Sequence, residues 1–286
     1  MTIFEQMINI YNPKTLEEKK NVIKEVLQEV VLAGLSKTDF FNYAAFYGGT
    51  ALRIFYGLNR FSEDLDFSLL ASDESFDLEK YLKPVSEAIN SLGLDFKVSK
   101  KEKANKTNID SAFIKGNTKE TFLVIYPNTD DFKQIIHNEK ITIKFEVDVN
   151  PPLYAETEIK YRLLPFPYQV RVYDMSSLFA GKIHAVIARS WKDRVKGRDL
   201  YDFIYYLGLN SKVNIKHLEA RLKQTNTIEN GIVLTKELLF EILDDRFNNI
   251  DYEKAKNDIK PFIKDHTSLD LWSQEFFKSI TRNIMI

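Results

Sequence analysis

The amino-acid sequence predicts an α+β fold, a mixed sheet with helices followed by a helical lobe. Short β-type runs alternate with helical patterns as far as residue 170, and after Asp174 only helical periodicity remains. The chain has 286 residues, 44% of them hydrophobic, which is enough for two units with buried cores. We therefore expect an α/β lobe with N-terminal helices over residues 1–170 and a helical lobe over residues 171–286.

The individual elements follow from the spacing of apolar residues. Helical spacing covers Pro13 to Ala45 and Leu78 to Leu92. Alternation between turn residues predicts the strands Glu63–Leu70, Asp95–Ser99, Ala112–Gly116, Thr121–Tyr126, Lys140–Val149 and Tyr168–Tyr173. Helical patterns then cover residues 176–190, 197–207, 213–224, 231–247, 251–264 and 269–283. The cleft between the two lobes is the expected place for a site.

Composition excludes several functional classes. The 40 basic and 41 acidic residues leave a net charge of −1, so any affinity for nucleic acid must come from a local cluster. The absence of cysteine excludes disulfide frameworks, thiolate metal sites and cysteine nucleophiles. No long apolar run or signal-type start is present, so we expect a cytoplasmic protein without a membrane partner. Motifs of P-loop, Rossmann and α/β-hydrolase enzymes are also absent.

A glycine pair marks the first candidate binding element. Gly48 and Gly49 form the only Gly-Gly dipeptide of the chain and stand directly before Thr50 and an amphipathic helical pattern. Glycines let backbone approach a ligand closely, and a helix N-terminus offers free N–H groups and a favourable dipole. We interpret the turn as a phosphate-binding element. The alternative is a plain tight turn capped by Thr50.

Two acids follow the short helix. Asp64 and Asp66 alternate with Leu65 and Phe67, and residues two apart on a strand project from the same face. Adjacent carboxylates repel unless a cation lies between them, and Mg²⁺ prefers hard oxygen ligands. An acid-x-acid triplet arises readily by chance, so the prediction depends on its combination with the glycine turn. We expect both acids to bind Mg²⁺ or Mn²⁺.

A third carboxylate is expected from the clearest strand pattern, over residues 141–149. The polar face of this pattern ends in Glu146 and Asp148. If the strand lies beside Asp64 and Asp66, one of these acids can complete the ligands that two divalent ions need for phosphoryl displacement. We choose Asp148 because its shorter side chain holds a metal more rigidly. The alternatives are Glu146 and an edge strand with a solvated face.

The helical lobe contributes cations and two further acids. Lys182 and Arg189 fall along one edge of an apolar helical stripe. Asp199 and Asp202 are neighbours at i and i+3 on the following helix, although the helix dipole alone would explain Asp199. A basic run lies between the helices and suits phosphates and bases, although a solvated loop has the same composition. Its members are Arg189, Lys192, Arg194, Lys196 and Arg198, with Trp191 among them.

Together these residues indicate nucleotide chemistry. The glycine turn would cradle a triphosphate, the metal would neutralise developing charge, and Lys182 would pair with phosphate oxygens. The expected nucleotide-binding residues are Gly48, Gly49, Thr50, Lys182 and Arg198. The expected catalytic residues are Asp64, Asp66, Lys182, Asp199 and Asp202, and the expected metal ligands are Asp64, Asp66 and Asp148. Whether Asp202 activates an acceptor hydroxyl or positions Lys182 and Arg198 is left open by the sequence.

The same motifs, in the same order, resemble those of the AbiEii/AbiGii (MenT-like) nucleotidyltransferase toxin family. They are Gly48-Gly49-Thr50-Ala51-Leu52, Ser62-Glu63-Asp64-Leu65-Asp66-Phe67, Val147-Asp148-Val149, Lys182, and Lys196-Gly197-Arg198-Asp199-Leu200-Tyr201-Asp202. The resemblance implies a DNA polymerase β-like nucleotidyltransferase fold. It also implies transfer of a nucleotide from an NTP to RNA with loss of pyrophosphate.

The resemblance extends to residue roles and partners. It implies metal binding by Asp64 and Asp66, an essential basic residue at Lys182, and an essential acid at Asp199 or Asp202. It further implies an AbiEi-like antitoxin, a tRNA 3′ end as acceptor, and a block of translation and growth. The alternatives are a small-molecule (antibiotic-type) or protein nucleotidyltransferase and a non-catalytic nucleotide- or RNA-binding module. The basic run disfavours a cationic small molecule.

Overall fold

The structure is a computed structural model that describes residues 2–92, 118–125, 141–189 and 195–286. Its strands are β1 (Ala44–Tyr47), β2 (Leu65–Leu69), β3 (Thr118–Ile125), β4 (Ile141–Asp148), β5 (Thr157–Arg162) and β6 (Tyr168–Tyr173). In the described residues they form one sheet in the order β3-β4-β2-β1-β6-β5. β2 runs parallel to β4 and antiparallel to β1, while β1 runs parallel to β6. The predicted mixed sheet with helices is confirmed.

The helices surround this sheet and continue beyond it. The first five are α1 (Ile3–Ile10), α2 (Leu16–Ser36), α3 (Phe40–Tyr43), α4 (Gly48–Tyr56) and α5 (Leu82–Asn90). The C-terminal helices are α6 (Met175–Ala188), α7 (Gly197–Gly208), α8 (Ile215–Gln224), α9 (Lys236–Asn248), α10 (Tyr252–Ile259) and α11 (Gln274–Thr281). Short 3₁₀ turns cover Glu79–Tyr81, Lys260–Phe262 and Thr267–Leu271. Over the described ranges, no helix has both the length and the apolar character needed to cross a bilayer.

One face of the sheet packs on the N-terminal helices. Phe46, Leu65, Phe67 and Phe145 are buried in a single apolar cluster with residues of α2. Phe46 is paired with Phe67 across β1 and β2, and Leu65 with Phe145 across β2 and β4. Because side chains alternate along a strand, the residues between them project from the opposite face. That opposite face carries the polar residues of the candidate site.

The C-terminal helices form a second apolar cluster against this polar face. Its members include Phe179 of α6, Phe203 of α7 and Phe247 of α9. Ala45 and Leu52, from the N-terminal part of the chain, are buried in the same cluster. The second core is therefore shared between both halves of the chain, and the boundary at residue 170 remains a prediction.

The sequence patterns do not predict strands β1 and β5. β1 was included in the helical pattern that ends at Ala45, because a short strand buried on both faces shows no alternation. β5 is an edge strand with charged residues between its apolar ones, which weakens the apolar signal. The predicted strands Asp95–Ser99 and Ala112–Gly116 lie outside the described residues.

Candidate active site

A cavity of about 300 Å³ lies between the polar face of the sheet and the C-terminal helices. Its walls come from the turn after β1, from β2 and β4, and from α6, α7 and α8. The described lining residues that carry polar chemistry include Tyr47, Gly48, Gly49, Asp66, Glu146, Asp148, Lys182, His184, Arg189, Arg221 and Gln224. The glycine turn, the carboxylates and Lys182 therefore share one cavity.

The glycine turn brings backbone against a carboxylate. Gly48 has φ of +82°, and a Cβ on it would lie 2.5 Å from Oδ2 of Asp66. A Cβ on Gly49 would lie 2.7 Å from Nη2 of Arg60. Neither position has room for a side chain without movement of its neighbour. Since α4 begins at Gly48, its first N–H groups have no partners within the helix and are available to an anion at the cavity.

Thr50 has a different place from the one expected for a phosphate ligand. Its side chain is buried and does not line the cavity. The hydroxyl instead donates a hydrogen bond of 2.5 Å to the backbone carbonyl of Asp64. Thr50 therefore holds the segment that carries Asp64, and only its backbone N–H, in the first turn of α4, is suited to a phosphate.

Asp64 and Asp66 form a pair of carboxyl groups with raised pKa values. Burial, opposed by Lys144 and reinforced by Glu146, raises the pKa of Asp64. Burial together with the charges of Asp64 and Glu146 raises the pKa of Asp66 to about 7. Among the described residues, no basic side chain forms an ion pair with either carboxylate. The pair is therefore an electrostatically strained site that a bound cation would relieve.

Register places Glu146, rather than Asp148, beside Asp66. In the parallel pairing of β2 with β4, Asp66 is aligned with Glu146 and Ser68 with Asp148. Both acids line the cavity, but only Glu146 contributes to the raised pKa of Asp66. The expectation that Asp148 is the third carboxylate rests partly on its shorter side chain and does not use the strand register. The strand register favours Glu146, whose carboxylate also lies 2.6 Å from Nζ of Lys144.

The residues fit a divalent cation that shares its coordination with a ligand. In the described part of the chain, no three acidic or histidine side chains converge into a complete metal site. Mg²⁺, however, is commonly held by one or two carboxylates and completed by substrate phosphates and water. A pair of raised-pKa carboxylates beside a phosphate-binding turn matches that donor set.

Lys182 is fixed between two buried carboxylates. Its Nζ lies 2.7 Å from Oδ1 of Asp199 and 2.8 Å from Oδ2 of Asp202. The i, i+3 spacing of the two acids on α7 presents both to the same ammonium group. Arg189 reaches the other oxygen of Asp199, with Nη1 at 2.5 Å from Oδ2. The predicted edge that carries Lys182 and Arg189 therefore faces α7.

Sequence analysis missed Arg60, which completes this network. Arg60 is 3% exposed and forms two hydrogen bonds of 2.6 Å with Asp202, from Nε to Oδ1 and from Nη2 to Oδ2. The two residues are 142 positions apart in the chain. Arg60 follows Asn59 at the end of the short helix, where an arginine is ordinarily solvated. The local sequence therefore carries no signal of its burial.

The pKa values of Asp199 and Asp202 are lowered, whereas that of Asp66 is raised. Burial alone would raise the pKa of Asp199, but Arg189 and Lys182 overcome it and hold that pKa far below its usual value. Likewise Arg60 and Lys182 overcome burial and lower the pKa of Asp202. Both oxygens of Asp202 are engaged and its side chain is fully buried, so it is placed to position Lys182 rather than to accept a proton from a substrate.

The basic run is only partly described. Lys192 and Arg194 lie outside the described residues, as does Trp191. Arg198 points away from the cavity lining: its Nη1 lies 3.2 Å from Oε2 of Glu63, and its guanidinium covers the ring of Phe262. The placement of Arg198 therefore does not support the expectation that it binds nucleotide. Its guanidinium forms an ion pair that joins α7 to the segment before β2.

Comparison with known proteins gives a family and a fold. The family model "Nucleotidyl transferase AbiEii toxin, Type IV TA system" matches residues 30–277. MenT4, nucleotidyltransferase toxin Rv2826c from Mycobacterium tuberculosis H37Rv, has a TM-score of 0.55 at 15% identity, covering 97% of this chain and 88% of that one. At this identity the likeness shows the fold, and it confirms the predicted nucleotidyltransferase fold class.

Two further similarities are weaker. JHP933 from Helicobacter pylori has a TM-score of 0.47 at 19% identity and covers 92% of this chain and 90% of that chain. The uncharacterised protein MJ1072 of Methanocaldococcus jannaschii is 30% identical over 71 residues. Those residues are 24% of this chain and 61% of that protein.

Proposed function

The chain belongs to the AbiEii family of nucleotidyltransferase toxins, and on that basis we propose that it transfers a nucleotide from an NTP to RNA. The proposed acceptor is a tRNA 3′ end, and pyrophosphate is released. The single observation that carries the proposal is the shared cavity, in which the glycine turn, the carboxylates of Asp66 and Glu146 and a fixed lysine meet. A phosphate chain, a metal ion and a developing negative charge each have a suitable partner there.

Each group in the cavity has a distinct part in the proposed reaction. The N–H groups at the start of α4 bind phosphate oxygens of the NTP. Asp64 and Asp66, with Glu146 beside them, would hold Mg²⁺ or Mn²⁺, which supplies charge neutralisation at the phosphates when bound. The acceptor hydroxyl oxygen forms a bond to the α-phosphorus as the bond to pyrophosphate breaks.

Lys182 supplies a cation whose position is set before the nucleotide arrives. Its two carboxylate partners hold the ammonium group at the edge of the cavity, where it lines the wall while Asp199 and Asp202 do not. A fixed charge costs little reorganisation during the reaction, which makes it effective at a transferring phosphoryl group. Asp199 and Asp202 are accordingly positioning residues in this proposal.

An RNA acceptor is supported by local charge rather than by net charge. The chain has a formal charge of −1, while the stretch from Arg189 to Arg198 carries five basic residues and one acidic residue. Such a local cluster can attract a polyanion that the molecule as a whole does not. An AbiEi-like antitoxin, growth arrest through blocked translation and a cytoplasmic site of action complete the proposal, and they rest on family membership.

The experiment that tests the proposal is labelling of total cellular RNA. The purified protein and its Asp66→Asn variant are incubated with Mg²⁺, RNA and each α-³²P-labelled NTP in turn. We expect label in RNA of tRNA length with the wild type and none with the variant. A parallel reaction with γ-³²P-labelled NTP should leave RNA unlabelled, because pyrophosphate carries that label away.

Other outcomes would redirect or refute the proposal. Label in a longer RNA would replace the tRNA acceptor, and label in protein or a small molecule would replace RNA altogether. Transfer of the γ-label would indicate a kinase. If the protein binds NTP but labels nothing in a lysate, a non-catalytic nucleotide-binding module is the better description.

A further inference from the structure

One basic side chain that lines the cavity, Arg221, has no role in the proposed reaction. Three basic side chains line its described part, namely Lys182, Arg189 and Arg221. Lys182 and Arg189 are paired with carboxylates of α7. Within the described ranges no carboxylate forms an ion pair with Arg221, and its Nε is buried without a hydrogen-bond partner. Among the described residues, Arg221 is therefore a cation at the cavity without an ion-pair partner.

Arg221 reaches this place from α8. Its guanidinium lies against α6, where a Cβ on Gly181 would be 3.9 Å from both Cζ and Nη1 of Arg221. Its charge is also felt on the sheet side, where it opposes the effect of burial on the pKa of Tyr47 and Asp148. The guanidinium therefore lies between the helices and the polar face of the sheet, close to the turn of α6 that carries Lys182.

The described surroundings offer Arg221 no ion-pair partner, although the carboxylate of Asp148 lies near enough to be influenced by its charge. Burial, reinforced by Arg221, lowers the pKa of His184 well below its usual value and lowers that of His217 to about 4. Both histidines are therefore neutral at pH 7. A partly buried guanidinium without a counter-ion is costly, and an anionic ligand would remove that cost.

We propose that Arg221 binds the phosphate chain of the NTP from the helical side of the cavity, facing the glycine turn across it. This inference rests on the proposed function. Guanidinium is planar and always charged, and it presents paired N–H donors that match phosphate oxygens. The occupant is a mononucleotide rather than the RNA acceptor, because Arg221 and the glycine turn share one cavity of about 300 Å³, the size of a small-ligand pocket.

The proposal divides the cations of the cavity by task. Lys182 is held by two carboxylates and is available as a fixed charge, whereas Arg221 has no ion pair with a described carboxylate and is available to the phosphates. Arg221 thus acts mainly on nucleotide affinity, and loss of its charge should raise KM for NTP more than it lowers kcat.

The test is a titration with a series of ligands in the absence of RNA. Calorimetry measures the Kd of a non-hydrolysable α,β-methylene NTP, the matching monophosphate and the nucleoside for wild type, Arg221→Gln and Lys216→Gln. Lys216 is an exposed cation on the same helix, so its variant controls for loss of one charge. We expect Arg221→Gln to weaken NTP binding by about tenfold or more, with nucleoside binding unchanged. Lys216→Gln should match the wild type.

A chemical footprint provides the same test without a variant. Phenylglyoxal modifies accessible arginines, and peptide mass spectrometry reports which ones. The NTP analogue should protect Arg221 in the wild-type protein while the nucleoside should not, and Arg282, paired with Asp244 on the surface of the same lobe, should be unaffected by either. This measurement decides the question even if Arg221→Gln does not fold.

The outcomes separate this inference from the proposed function. If wild type binds NTP and Arg221→Gln binds it equally well, or if NTP leaves Arg221 unprotected, the role of Arg221 is refuted. If Arg221→Gln retains NTP affinity but loses RNA in a gel-shift assay, Arg221 serves the acceptor and the inference is again wrong. If the wild type binds no NTP at all, the proposed function itself fails.

Discussion

Two pairs of acids, one on the sheet and one on α7, lie near the same cavity and have opposite electrostatic surroundings. On the sheet, Asp64 and Asp66 repel one another and have raised pKa values. On α7, Asp199 and Asp202 are surrounded by basic side chains and have lowered pKa values. Desolvation raises the pKa in both pairs, so the neighbouring charges decide the direction of the shift.

The comparison shows which part of the site the chain completes by itself. The α7 acids have internal partners in Lys182, Arg60 and Arg189, so their arrangement is finished once the protein has folded. The sheet acids have no ion-pair partner among the described residues, and a bound cation is proposed to complete their arrangement. Changes to the first group should therefore act mainly on stability and positioning, while changes to the second should act mainly on activity.

Asp66→Asn should give the largest effect on activity. The amide keeps the size of the side chain but removes the charge that a metal ion requires, so nucleotide transfer should fall by about 10³-fold or more. Stability should be retained or raised, because the substitution removes a repelled carboxylate. Labelling assays measure the loss of nucleotide transfer, and thermal unfolding of the same preparation measures stability. Loss of activity together with a large loss of stability would contradict the contrast between the groups.

Arg60→Met should give the largest effect on stability. It leaves Asp202 buried with one cation instead of two, and breaking a buried ion pair costs about 3 to 5 kcal/mol. Urea denaturation measures the change in the free energy of unfolding. Arg282→Met, which removes a half-exposed ion pair in the same lobe, is the matched control and should change it by less than about 1 kcal/mol. Equal changes in the free energy of unfolding would show that the buried network contributes no more stability than the surface ion pair.

Asp199→Asn and Asp202→Asn sharpen the comparison within α7. Asp199 holds the two cavity cations Lys182 and Arg189, whereas Asp202 holds Lys182 and the buried Arg60. We therefore expect Asp199→Asn to lower kcat by roughly tenfold to a hundredfold with a stability loss of about 1 to 3 kcal/mol. Asp202→Asn should lose more stability. The reverse ranking in paired kinetic and denaturation measurements would assign the essential acid to Asp202.

The smallest expected effect is a dependence of stability on pH. Asp66 has an unperturbed pKa of 3.8 and a folded pKa of about 7, so the folded state binds more protons between these values. The free energy of unfolding should therefore fall as pH rises from about 4.5 to 7.5 without metal. Asp199 and Asp202, whose pKa values are lowered, do not titrate in this range.

Two controls isolate the contribution of Asp66 to this pH dependence. Thermal unfolding of Asp66→Asn should show a flatter profile than the wild type. Addition of Mg²⁺ at pH 8 should raise the Tm of the wild type by more than that of the variant, because the variant lacks one of the carboxylates proposed to hold the ion. Identical profiles for the two proteins would show that Asp66 is not the titrating group.

The parts of this site that sequence could predict are those encoded within a few residues. Gly48 and Gly49, the Asp64/Asp66 alternation and the i, i+3 spacing of the α7 acids each define a local geometry. Gly48, Gly49 and Asp66 line the cavity directly, and the α7 acids contact it through Lys182. The strand over residues 141–149 was also recognised from its alternation. Local patterns of this kind depend only on backbone periodicity.

The parts that sequence could not predict depend on distant partners. Arg60 is explained only by Asp202, far along the chain, and Arg221 only by the cavity that it enters from α8. The choice between Glu146 and Asp148 required the register of β4 against β2, which neither strand encodes alone. β1 has four residues buried on both faces and so lacks any alternation to recognise.

The order of the strands also governs when, during synthesis, the site can exist. Phe46 in the central strand β1 pairs with Val172 of β6, and Arg60 forms its ion pair with Asp202, which is 142 residues later in the chain. A ribosome releases the chain from its N-terminus, so the nucleotide-binding turn emerges long before the residues that close its cavity. A growing chain therefore carries no assembled site. A cell that makes this protein meets the complete site only after α8 has left the ribosome and packed against α6.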